Sequence, residues 1–168
     1  LEEADAVARM ASFIGTRFPG QKTGAIGASL GAAGFVLAQD HYKADAYVLE
    51  ELFTTLQETT AKRMRLPVGK DIQASVMLAQ LPFRLGFSAD DVRPVDAIGK
   101  IESPIMLLAG SDDPFAGPAD AQRLFEAVTS EKKLVMFEGA RHQNLYRFDP
   151  ATYETNVLPF LTKALCTL

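Results

Sequence analysis

The chain has 168 residues, 48% hydrophobic and 23% charged, with a formal charge of −4, two histidines and one cysteine. Such a composition buries one core and excludes disorder, and no apolar run reaches the ~18 residues of a membrane helix. The acidic balance argues against a nucleic-acid partner, which needs clustered basic residues, and the lone cysteine excludes an internal disulfide.

The first predicted helix, residues 2–18, sets Ala6, Met10, Phe13 and Ile14 on one apolar face and ends at Pro19-Gly20. A short strand over 23–28 then runs into Gly27-Ala28-Ser29-Leu30-Gly31, followed by a helix over 30–39. A G-x-S-x-G pentapeptide between strand and helix has the setting of a nucleophile elbow. There the serine Oγ stands clear of the sheet, and the glycines let strand and helix approach without Cβ clashes. Ser29 is therefore the candidate nucleophile. Gly31, Ala32, Ala33 and Gly34 weaken the helix by about 1 kcal/mol per glycine, a cost that close packing would explain. The helix also aims its first N–H groups beside Ser29, where an oxyanion would form.

His41 lies in the polar stretch 39–43 and reads as a solvated surface histidine. The next strand, 45–50, ends in Glu50-Glu51, either an alternative acid for the same chemistry or, for Glu51, a charge at the start of the following helix. Residues 51–103 are the least regular part. Their apolar residues, Phe53, Met64, Leu66, Pro67, Met77, Leu78, Leu81, Pro82, Phe83 and Phe87, either line a substrate pocket over the site or cover the sheet as ordinary core. Within them Lys62-Arg63-Met64-Arg65 reads as a solvated helix end, where cations suit the dipole.

A third strand, 104–109, runs into Gly110-Ser111-Asp112-Asp113-Pro114. Asp113 is the preferred carboxylate, at the third position after Gly110, while Asp112 is a candidate turn former bonding its own backbone. After a helix over 117–129 comes the fourth strand, 133–138, and then Gly139-Ala140-Arg141-His142. A loop at a strand end suits His142 as the base that a weakly nucleophilic serine hydroxyl requires. A final helix over 150–165 runs on to Cys166, which reads as a small apolar residue of that helix. No His or Cys pair has metal-ligand spacing, so no metal and no cofactor is expected.

Strands alternating with helices predict an α/β fold with three α/β/α layers and a mostly parallel sheet. Serine, aspartate and histidine follow one another along the chain, each at the end of a strand. On these segments, together with Pro94-Val95-Asp96-Ala97-Ile98 leading to Ile101-Glu102-Ser103-Pro104, the chain resembles the C-terminal half of an α/β-hydrolase, nearest to the prolyl-oligopeptidase-related branches. The resemblance spans essentially all 168 residues.

It implies a serine hydrolase acting on a small-molecule ester or related acyl substrate, with Ser29, Asp113 and His142 catalytic and the Leu30 N–H in the oxyanion hole. It also implies that several strands precede the elbow in the complete fold and that one of their loops supplies the second oxyanion donor. No segment here matches that loop. The missing N-terminal half, or another chain, is expected to complete the sheet, and the unusual start at Leu1 fits that expectation. Two rival readings stand beside this one. A non-catalytic hydrolase-like interaction module is suggested by the missing loop. A dinucleotide-binding half is suggested by the glycine-rich turn and Glu50, but it would need glycine where Ser29 stands.

Overall fold

The computed structural model describes residues 2–64 and 69–166. They form one four-stranded sheet of β1 (Gly24–Ala28), β2 (Ala46–Glu50), β3 (Ile105–Gly110) and β4 (Lys132–Phe137), all parallel and in the order β1-β2-β3-β4. In register, Ala28 lies beside Glu50, Glu50 beside Leu108, and Leu108 beside Val135, so the strands end along one edge of the sheet. The helices are α1 (Glu2–Arg17), α2 (Leu30–Leu37), α3 (Leu56–Arg63), α4 (Lys70–Leu78), α5 (Leu81–Leu85), α6 (Pro94–Ala97), α7 (Pro118–Ala127), α8 (Leu145–Phe148) and α9 (Pro150–Leu165).

The pleat divides the core in two. Tyr47, Leu49, Ile105 and Leu107 point to one face and pack with Ala32, Ala33 and Val36 of α2 and Leu124 of α7. Val48, Met106 and Leu108 point to the other and pack with Val135 and Phe137, Leu145 of α8 and Val157 of α9. β2 and β3 are buried at every position, as a parallel strand covered by helices on both faces must be. The three-layer expectation and the strand placements hold to within a residue or two.

β1 differs from its neighbours. Only alternate residues, Ala25 and Gly27, are buried; Ile26 is 49% exposed and the far edge of the strand has no partner among the described residues. The apolar face of α1 runs beside this edge. Together they line a groove of about 410 Å³ that includes Met10, Ile14, Ile26, Phe35 and Tyr42. Met10 and Phe13, on the apolar face of α1, are mostly exposed, because the described residues place no further layer against them.

The segment 51–103 divides between the two readings of its apolar residues. Phe53 is buried in the main core with Phe87 against it, whereas Leu78 forms a separate small cluster under α3 and α4 with Met64 and Leu81. Met77, Pro82 and Phe83 are exposed, and Leu66 and Pro67 lie outside the described residues.

Candidate functional site

The site is assembled from three strand ends. At the end of β1 the chain turns at Ser29, whose φ of 50° and ψ of −113° are unusual for a residue with a Cβ and cost about 1–3 kcal/mol. Two hydrogen bonds hold the turn: Ser29 N donates to Glu50 O at 2.8 Å, and Ala33 N donates to Ser29 O at 3.0 Å. Gly27 is required by the approach of α2, since a Cβ there would lie 2.8 Å from both Ala32 N and the Phe35 ring. Gly31 is not: a Cβ at that position would meet nothing within 4 Å, so the second glycine of the motif does not serve close packing against the described residues. Ala32 and Ala33, by contrast, are fully buried, which accounts for the small-residue run.

The loop after β3 carries Asp113, whose side chain is wholly buried. Its Oδ1 accepts N–H bonds from Phe115 at 2.7 Å and Ala116 at 3.0 Å, which leaves Oδ2 to face His142. Asp112 turns to the surface, within reach of the Ser111 hydroxyl at 3.2 Å.

The loop after β4 is tied to this one. Asp112 N donates to Ala140 O at 2.9 Å and Gly139 N donates to Ser111 Oγ at 2.7 Å. Gly110 permits the approach, because a Cβ on it would fall 2.3 Å from Ala140 O. The loop ends where the Asn144 side chain accepts the Arg147 N–H at 2.8 Å and starts α8.

Between these anchors His142 bridges the other two side chains. Its Nδ1 lies 2.7 Å from Asp113 Oδ2 and its Nε2 3.1 Å from Ser29 Oγ, both within hydrogen-bonding distance. The imidazole is 21% exposed, open to an incoming molecule while its partner carboxylate is dry. The Phe115 ring meets it edge-on with centroids 5.6 Å apart, and the Arg63 guanidinium lies over that ring, 4.2 Å from its centroid. Chemically, the series can pass the Ser29 hydroxyl proton to Nε2 while the buried carboxylate fixes the tautomer and steadies an imidazolium.

Several expectations need correction. Glu51 does not start a helix: α3 begins at Leu56 and is capped by Thr55, whose hydroxyl accepts the Glu58 N–H at 3.1 Å. Glu51 lies in the site instead, buried, with Oε1 accepting the Gln143 N–H at 2.8 Å and Oε2 3.6 Å from His142 Nδ1. Glu50 faces the opposite side of the sheet, where its carboxylate accepts the Tyr153 hydroxyl at 2.5 Å. Burial pushes both carboxyls above the ordinary range, against the lowering effect of these hydrogen bonds.

The basic cluster is not merely solvated. Lys62 pairs with the buried carboxylate of Asp120 and reaches Phe115 O at 3.4 Å, and Arg63 stacks on Phe115, while Arg65 lies outside the described residues. Cys166 lies just past α9 as its C-cap residue and is exposed. His41 is exposed, as a surface histidine should be. Glu51, Asp113 and His142 are the metal-ligating types that cluster among the described residues, with ligand atoms within 4.8 Å of one another. Their atoms are already engaged with each other and with backbone N–H groups.

Sequence reasoning missed the role of Phe115 and of the Thr54, Lys62 and Asp120 network that holds α3 against the start of α7. The only signal for that network was an aspartate at the third position of a helix starting with proline.

No family model matches the chain. It is 30% identical over 120 residues to an uncharacterized protein, YqkD, of Bacillus subtilis (strain 168), a match covering 70% of this chain and 39% of that protein. The chain thus spans about two fifths of that relative's length. Among solved structures, the esterase Pf2001 of Pyrococcus furiosus superposes with a TM-score of 0.74 at 19% identity, over 98% of this chain and 63% of that one. A puromycin-hydrolyzing peptidase of Mycobacterium tuberculosis gives 0.70 at 17% identity, over 99% and 26%. MGS-MChE2, an α/β-hydrolase enzyme from a sediment metagenome of the Mar Chica lagoon, gives 0.64 at 15%, over 95% and 70%. With its parallel four-stranded sheet, its covering helices and these neighbours, the chain has the α/β-hydrolase fold, of which it carries a part.

Proposed function

We propose that the protein to which these residues belong is a serine hydrolase working through an acyl-enzyme. Ser29 is the nucleophile, His142 takes its proton and returns it to the leaving group, and Asp113 holds the imidazole and balances its charge. A water activated by the same histidine then releases the acid. The observation that carries this reading is the hydrogen-bonded series from Ser29 Oγ through His142 to a dry Asp113, set on a strained turn at a strand end. The Leu30 N–H, in the first turn of α2 where backbone donors lack helical partners, is one oxyanion donor.

The second donor comes from the part of the fold that these residues do not include, or from another chain, seated against the open edge of β1. One such donor is worth about 2.7–4 kcal/mol, so residues 1–168 alone turn over little substrate. The substrate is an uncharged carboxylic ester; the names of the neighbours include both an esterase and a peptidase, so amide and thioester substrates form the comparison set.

The test is turnover of p-nitrophenyl butyrate by the longest natural form of the protein, beside Ser29→Ala and His142→Gln. Each variant is expected to lose about four orders of magnitude or more in kcat with its folding intact. Retained turnover in either overturns the assignment. Should the folded wild-type protein turn over no ester, amide or thioester, the non-catalytic reading takes its place.

A further inference from the structure

Two carboxylates, not one, face the Nδ1 side of His142. Asp113 Oδ2 is hydrogen-bonded at 2.7 Å, and Glu51 Oε2 stands 3.6 Å away, too far for a hydrogen bond but close for a charge contact. Their side chains are 0% and 5% exposed, so little water screens either. Glu51 is held there by its backbone. Its φ of 49° is the second positive value on a non-glycine residue among the described residues, the other being that of Ser29 in the elbow. Its N–H donates to Leu108 O at 2.8 Å, locking the turn to β3. The side chain then reaches across to the loop after β4, where Oε1 accepts the Gln143 N–H at 2.8 Å.

A strained backbone, a buried charge and a bond to the residue after His142 are costly features for a side chain that only fills space. Resting on the reading above, we propose that Glu51 is a positioning residue of the site. It ties the histidine loop to the end of β2 through Gln143 and adds a second negative charge behind the imidazole as the imidazolium forms. Glu51 makes no contact with Ser29 that the structure records, so it acts through His142 and not on the reacting atoms.

The titratable groups facing Glu51 are Asp113 and His142 from the two loops and Glu50 beside it on β2, itself bonded to Tyr153 of α9. Burial is the main reason its carboxyl sits above the ordinary range, with Asp113 and Glu50 adding to that effect and the Gln143 N–H and His142 opposing it. The second charge is therefore withdrawn on acidification before an ordinary surface carboxylate would titrate.

The test uses the longest natural form of the protein and the same ester. Glu51→Gln keeps an oxygen that can accept the Gln143 N–H but removes the charge. It is expected to lower kcat about tenfold with KM unchanged and to move the acidic limb of the kcat/KM profile to lower pH. Glu51→Ala removes the tether as well and is expected to fall further.

In an Asp113→Asn background Glu51 is the carboxylate left at Nδ1, so Glu51→Gln is expected to cost more kcat there than in the wild type, with no matching excess loss in Tm, a split that a purely structural role would not produce. Circular dichroism and thermal melts confirm that each variant is folded. A folded Glu51→Gln variant with wild-type kcat and an unmoved profile overturns the inference while leaving the triad reading intact. If Ser29→Ala is as active as the wild type, the triad reading itself fails and this inference with it, which keeps the two failures apart.

Discussion

The two glycines of Gly27-Ala28-Ser29-Leu30-Gly31 are equivalent in the pattern and unequal in the structure, and a methyl group on each separates the two cases. In Gly27→Ala the new Cβ sits 2.8 Å from Ala32 N, 2.8 Å from Phe35 Cδ2 and 2.9 Å from Ala32 Cα. Carbon contacts settle near 3.5–4.0 Å, so β1 and α2 must part by about 0.7–1.2 Å. Overpacking of this kind costs about 1–3 kcal/mol, and for a chain of this size each kcal/mol moves Tm by about 2–4 °C. The parting also falls on Ser29, the residue between the two elements, whose Oγ has only 3.1 Å to His142 Nε2. A misplacement approaching 1 Å is worth about 10²-fold in rate.

Gly27→Ala is therefore expected to lower Tm by about 2–12 °C and to cut kcat/KM by about 10²-fold in the complete protein. Gly31→Ala, whose Cβ meets nothing, is expected to leave residues 1–168 as stable as before or up to about 1 kcal/mol more so, since alanine favours helix over glycine. Thermal melts and ester kinetics measure both. If Gly27→Ala melts and reacts like the wild type, or Gly31→Ala is the worse of the two, the account of why strand and helix meet at Ser29 is wrong.

Three further outcomes follow from the buried polar groups and the surface. Because burial raises the Glu50 carboxyl, its contribution to stability is full below its ordinary value and is lost as pH rises through the raised one. Glu50→Gln, which can still accept the Tyr153 hydroxyl, is thus expected to raise Tm at neutral pH, with the difference vanishing below pH 4.5 in a melt series across pH. Asp120→Ala removes the acceptor for Gly117 N–H, the Thr54 hydroxyl and Lys62 in one step; a loss of about 1–3 kcal/mol is expected by urea unfolding. Lys163→Gln breaks an exposed pair with Glu131 and is expected to change stability by less than about 1 kcal/mol in the same assay.

The sheet was legible because its strands announce themselves twice. Val48-Leu49 and Met106-Leu107-Leu108 are apolar without alternation, and each run stops at a charged or glycine-rich turn. The three loops that carry Ser29, Asp113 and His142 follow from those stops, since a parallel sheet gathers its strand ends along one edge. What pattern could not give was direction out of a turn. Nothing in Glu50-Glu51 says that one carboxylate turns to the opposite face of the sheet and Tyr153 while the other, on a left-handed backbone, bends toward His142.

The same limit applies to α3, where Lys62 and Arg63 suit a helix end by propensity. Yet Lys62 pairs with Asp120 and Arg63 lies over Phe115, both more than fifty residues away. The apolar face of α1 was legible as a face, but periodicity describes only one side of a contact, and among the described residues Met10 and Phe13 stay mostly exposed.

A nucleophilic Ser29 activated by His142 has a direct chemical signature. The most direct measurement is labelling of the longest natural form of the protein with a fluorophosphonate probe, followed by peptide mapping, beside His142→Gln. A single modified site at Ser29, lost in the histidine variant, is the expected result. A folded protein left unlabelled at Ser29, or labelled there equally without His142, would contradict it.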